Sequence, residues 1–239
     1  TVVGMAAGLL TGLLHTQLGI PAILSGILSQ LALYSINMRI LGRSNLPLLK
    51  VETLLTLRSP ATAIIVGGIF ALAMVAFLTW FFTTERGYAI RATGSNGGMA
   101  RAQGINTAAT TVLALMISNG LVGLAGGLLS QYQGYADVNM GRGAIVIGLA
   151  SVILGEAIPF LRSRFSLRLI ASVVGGVIYY LVITLVLQAG LDTNDLKLFS
   201  AAVVALALGI PNLRQKAAAK RLAKSALRVG QDGQRKETV

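Results

Sequence analysis

Arg91-Ala92-Thr93-Gly94-Ser95-Asn96-Gly97-Gly98-Met99-Ala100-Arg101-Ala102-Gln103-Gly104-Ile105-Asn106 is a polar, glycine-rich run held between two strongly apolar stretches, 60–83 and 108–130. Each flanking stretch is long enough to cross a bilayer as a helix, which takes ~20 apolar residues. An ordered polar segment between two such blocks has to lie outside the hydrocarbon, where a soluble partner can reach it. Reading outward gives seven apolar segments, at roughly 1–14, 20–41, 60–83, 108–130, 143–161, 168–190 and 197–211. This alternation predicts an all-α fold: a polytopic transmembrane helical bundle of about six to seven spans, with short loops. The 143–161 segment contains Gly143, Gly148, Gly155 and Pro159. It is therefore a candidate for a broken or re-entrant helix, tolerated only where it is buried or faces water.

Composition agrees with this reading. Hydrophobic residues make up 54% and charged residues 12% of 239 residues, about half the charge of an average soluble domain. Mean hydropathy is +0.75. There is no cysteine and a single histidine, His15. That leaves no disulfide framework, no thiolate nucleophile and too few groups for zinc or Ser-His chemistry. No catalytic, metal or cofactor site is expected, and no Gly-x-Ser-x-Gly or His-Glu-x-x-His motif occurs.

Charge sets the expected orientation. Eight basic residues follow Asn212, and three more fall in each of 84–107 and 162–168. The positive-inside rule places these on the cytoplasmic side, with the C-terminus. Residues 1–213 read as the transmembrane domain, and 214–239 as a basic cytoplasmic tail attracted to anionic membrane lipid. The tail has no aromatic residue on which a base could stack, so nucleic acid is not an expected partner. Arg43, Lys50 and Arg58 fall on the outer side, in a 42–59 connection rich enough in leucine to read as a short interfacial helix. The chain opens at Thr1 inside an apolar segment, which reads as a truncated or processed N-terminus.

Small residues recur at a four-residue step: Gly4, Gly8 and Gly12, then Gly123 and Gly127. In lipid such ridges let helix backbones approach closely. Polar side chains inside spans are costly, so they face the bundle interior or water. Gln30, Tyr34 and Asn37 share one side of a helix. Ser118 and Asn119 sit mid-span in another. These five residues are the candidate translocation pathway, with interhelical hydrogen bonding as the plainer alternative. Glu156 is the one acidic residue in a span and is expected near Arg162 or Arg164. His15 ends an apolar segment and is expected to be a capped or interfacial residue, not a ligand.

Within 91–106 the Walker spacing and its Lys-Ser/Thr pair are missing, which argues against nucleotide binding. A short helix over about 98–103, closed by Gly104, fits better. The run resembles the loop that docks on the ATPase in ABC importer permeases of the branched-chain amino acid and ribose-type family. The shared pattern falls on Gly94, Asn96, Ala100, Arg101, Gly104 and Ile105. Gly97-Gly98 departs from the proline or acidic residues usual there, which loosens the loop and leaves its docking role. Gly12-Leu13-Leu14 with Ile20-Pro21-Ala22-Ile23-Leu24-Ser25-Gly26-Ile27-Leu28 is similar to the family's lead into a span. Ser118–Gly127 with Ala144–Gly155 is similar too, so the resemblance covers roughly 4–160. The Leu13–Pro21 stretch with Ala32–Asn37 resembles the tryptophan/tyrosine subgroup.

The resemblance implies a pore-forming subunit of an ATP-driven importer in the bacterial inner membrane. Its substrate would be a small solute, an amino acid and in this subgroup an aromatic one. Implied partners are a second permease copy or close homologue, a separate ATPase and an extracytoplasmic substrate-binding protein. It also implies one or two further helices before Thr1, and glycines that turn the 91–106 backbone. The competing class is an ion-gradient-driven secondary transporter, which would call for intramembrane carboxylates and inverted repeats.

Overall fold

The computed structural model describes residues 1–48, 60–141, 143–158 and 165–188. Eight helices are described: α1 (Val2–Thr16), α2 (Ala22–Leu41), α3 (Pro60–Phe82), α4 (Glu85–Ser95), α5 (Gly97–Ala102), α6 (Thr107–Gln133), α7 (Ala144–Glu156) and α8 (Phe165–Gln188). Two three-residue strands, β1 (Asn45–Pro47) and β2 (Tyr135–Asp137), pair antiparallel. The helical reading holds, and the small ladder is an addition to it. Two units divide at Arg142/Gly143.

In the first unit, α1 lies against α6 along the glycine ridge. A β-carbon on Gly12 would stand 3.0 Å from the Cα of Val112; on Gly8 it would meet the Leu115 carbonyl, and on Gly4 the Asn119 carbonyl. From the α6 side, Gly123 packs on the Cα of Gly4. Gly127 has no atom near its missing side chain, so its expected part in the ridge is not met. Contact between α1 and α2 is polar. Thr11 Oγ1 donates to Ser29 Oγ at 2.8 Å, and Ser25 and Ser29 are the buried residues of α2. The turn between the two helices needs Gly19 at φ +67 and is closed by His15 Nδ1, which donates to the Ile20 carbonyl at 2.8 Å. His15, in the last turn of α1, is thus tied to the turn that follows it.

The second unit is built on the same principle. Side chains at Gly155 or Gly175 would run into the backbone at Ala171 and Ser151. Ala150 and Tyr179 form the buried centre between α7 and α8.

Among the described residues three helices are long and apolar enough to cross a membrane: Ala61–Phe82, Thr107–Gln133 and Phe165–Gln188. Apolar α7 has 13 residues, about 20 Å of rise against a core of ~30 Å. The 143–161 segment thus forms a short helix that ends at Glu156, before Pro159. Pro159, Arg162, Arg164, the 49–59 part of the proposed interfacial helix, the 197–211 segment and the basic tail lie outside the described residues.

Candidate functional site: the α4–α5 corner at the head of α6

The polar run is more helical than its glycines implied. The Thr84 side chain accepts from the Gly87 N–H at 3.4 Å and starts α4, with Glu85 in the first turn. An N-cap oxygen and an early acidic residue both favour a helix start. Gly94, expected in a turn, is helical inside α4. The corner belongs instead to Asn96, at φ −154, which ends α4 and caps α5 by accepting from the Met99 N–H at 3.0 Å. Gly104, at φ +81, ends the short helix as expected. Asn106 then caps α6 by accepting from the Ala109 N–H at 3.0 Å. Two asparagine caps and one left-handed glycine thus fold the run into a helix–corner–helix seated on α6.

Three contacts fix this corner. Ala100 is fully buried, and its carbonyl accepts from Ile105 N at 3.0 Å. Thr93 Oγ1 and Thr110 Oγ1 lie 2.9 Å apart and join α4 to α6. Gly87 is buried under the end of α3: a β-carbon there would stand 2.9 Å from the Phe82 carbonyl carbon and closer still to the Phe81 carbonyl oxygen. Gly87 is not among the expected site residues. Its signal was a lone glycine two residues past a threonine–acid helix start.

Fixing Ala100 inward turns other side chains out. Met99 is 51% and Tyr88 56% exposed, Arg101 is exposed, and the Arg91 guanidinium lies 5.9 Å from the Tyr88 ring centre. An exposed methionine and tyrosine among arginines match the composition of protein–protein contact surfaces. Of the six residues expected to couple to an ATPase, Asn96, Ala100, Gly104 and Ile105 shape the corner. Arg101 points outward, and Gly94 sits in open space on α4. At the same end, a cleft of about 390 Å³ lies beside α1 and α6, bordered by Leu13, Gln17, Asn106 and Met116.

The candidate pathway residues fall in two places. Gln30, Tyr34 and Asn37 are exposed on α2, roughly 100–160° around the helix from the Ser25–Ser29 side that meets α1. Ser118 is exposed, and half-buried Asn119 donates its amide to the Leu115 carbonyl of its own helix at 2.9 Å. Among the described residues no hydrogen bond joins the two sets.

Residues 1–212 match the family described as the branched-chain amino acid transport system permease component. The chain belongs to this permease family. It is 40% identical over 210 residues, 88% of this chain and 70% of the relative, to the tyrosine transport system permease protein of Clostridioides difficile (strain R20291). It is also 29% identical to an uncharacterized protein of Rickettsia prowazekii (strain Madrid E), over 87% of this chain and 75% of that one. No solved structure matches. Family membership makes the chain a multi-pass membrane protein and the permease component of an ABC amino-acid transport system, which works with an ATPase and a binding protein. It decides against the ion-gradient alternative.

Proposed function

We propose that this permease subunit forms the pore of a bacterial inner-membrane importer for an aromatic amino acid such as tyrosine, working as a pair with a second copy or a close homologue. ATP hydrolysis belongs to the separate ATPase, which docks on the α4–α5 corner. The binding protein delivers substrate at the opposite face, and the C-terminal tail stays in the cytoplasm against anionic lipid. The observation that carries the reading is the outward set Tyr88, Met99 and Arg101, held rigid by capped helices between two spans. A push on this corner moves α6 as a rigid element.

Copurification from membranes tests the docking face. Met99→Glu places a carboxylate in a contact that must exclude water and is expected to cut ATPase recovery about ten-fold. Arg101→Ala is expected to be milder, since an exposed ion pair contributes ~0–1 kcal/mol. Unchanged recovery and unchanged substrate-stimulated hydrolysis in Met99→Glu would refute docking at this corner.

For the pathway, the polar side of α2 supports a water-facing role, because its serines are already used against α1. Single cysteines suit this protein, which has none of its own. Cysteines at 30, 34 and 37 are expected to react with a charged maleimide at least about ten-fold faster than those replacing Leu24, Leu28 and Leu31 on the apolar side of the helix. Equal rates on both sides of α2 would assign Gln30, Tyr34 and Asn37 to structure alone.

A further inference from the structure

We infer that the β1–β2 ladder is a strap that makes the far ends of α2 and α6 move as one body when α6 is displaced at its α5 end. The inference rests on the coupling role proposed for the α4–α5 corner, and it concerns the end of α6 remote from that corner. The strands pair Asn45 with Asp137, Leu46 with Ala136 and Pro47 with Tyr135. Leu48 N donates to the Gly134 carbonyl at 2.8 Å and Val138 N to the Ser44 carbonyl at 3.0 Å, so the ladder extends past both strands. In an antiparallel pair the bonded positions alternate. Those two bonds therefore put Leu46/Ala136 in a bonded position and Pro47/Tyr135 and Asn45/Asp137 in non-bonded ones. Proline at 47 costs no ladder bond there, which is where a strand tolerates it.

The ladder is too short to stabilise itself, since even longer isolated two-stranded pairs are marginal in water. It persists because both of its ends are anchored. Gly134, at φ +75, is the single residue between α6 and β2, and Gly42, at φ +68, ends α2 three residues before β1. Beyond β2, Asp137 Oδ1 accepts from the Asn139 N–H and the Asp137 carbonyl accepts from the Met140 N–H at 3.1 Å, which turns the chain sharply.

The rest of the unit closes a triangle. α1 is locked to α6 by glycines, α2 is tied to α1 through Thr11–Ser29, and the ladder joins α2 back to α6. α6 runs 27 residues without a proline, about 40 Å of unbroken helix. A shift imposed at Thr107 therefore reaches Gly134, and the strap passes it to α2 and its Gln30–Tyr34–Asn37 side.

The test uses the permease assembled with its ATPase and binding protein in vesicles, with labelled tyrosine as probe. The double variant Asn45→Cys/Asp137→Cys places thiols at a non-bonded pair, with Cα atoms about 4.5 Å apart, within disulfide range. The cross-link is expected to form in high yield, and uptake is expected to stay within about two-fold of the reduced protein, because strands that travel together do not need to part. Ala136→Pro removes a ladder donor and is expected to lower uptake about ten-fold or more while ATPase recovery stays unchanged. A cross-link that blocks uptake until reductant is added overturns the inference, as does a pair that fails to cross-link or an Ala136→Pro variant that transports normally. Failure of the coupling reading looks different: the wild-type permease would itself neither bind nor stimulate the ATPase.

Discussion

Gly8→Leu is expected to abolish transport and to lower the thermal midpoint of the purified permease more than any other single glycine change in the first unit. At Gly8 the two obstacles are both backbone: the Leu115 carbonyl and, 2.7 Å away, the Met116 Cα. Backbone inside a helix cannot rotate aside as a flexible side chain can. A leucine there must force α1 off α6. Overpacking a well-filled site costs about 1–3 kcal/mol and sometimes more, and the upper end applies when the neighbour is rigid. The loss spreads, because the Gly4 and Gly12 contacts lie on the same ridge and open with it. Gly127→Leu is the control. It repeats the four-residue spacing but meets no atom within 4 Å, and is expected to leave stability near wild type. Thermal unfolding followed by size-exclusion chromatography, with uptake in vesicles, reads both variants. A Gly8→Leu protein as stable as Gly127→Leu would mean that α1 and α6 are not packed backbone to backbone.

Gly87→Val is expected to uncouple the importer, with substrate-stimulated ATP hydrolysis falling about ten-fold or more while the spans stay folded. Gly87 joins the end of α3 to the first turn of α4, and a side chain there meets the Phe81 and Phe82 backbone. Valine would swing α4 outward, and α5 with it, carrying Met99 and Arg101 out of register with the partner. Two other glycines in the run grade the effect. Gly104→Val has open space around the new side chain but sits at φ +81, so it carries only the left-handed penalty of about 1–2 kcal/mol. Gly94→Val has open space and ordinary helical backbone, and is expected to be the mildest, limited to the small helix cost of a β-branched residue. Hydrolysis and ATPase recovery measured on all three should rank Gly87 as the worst. A ranking with Gly94 worst would place the corner elsewhere.

What could be read from the chain alone was whatever depends on local composition and spacing. Apolar blocks of about twenty residues pointed to helices and a membrane, because a helix satisfies its own backbone in lipid and needs that length to cross it. The Gly4–Gly8–Gly12 step announced a close-packed face, Gly104 announced a left-handed helix end, and the 91–106 spelling pointed to a docking element in the family that the chain proved to match. What needed the tertiary structure was everything that depends on which surface meets which. The same glycine step at 123 and 127 gave one contact and one open position, because only Gly123 lies under α1. Gly94 looked like a turn and Gly87 like nothing in particular. A threonine cap and the end of α3 reversed those roles. Gln30, Tyr34 and Asn37 read as one polar side of a helix, but whether that side was free depended on Ser25 and Ser29 holding α1. The ladder was beyond sequence reading. Its strands are three residues long, carry no alternating pattern and lie some ninety positions apart, and the packing of α1 on α2 and α6 is what holds the two helix ends within reach of each other.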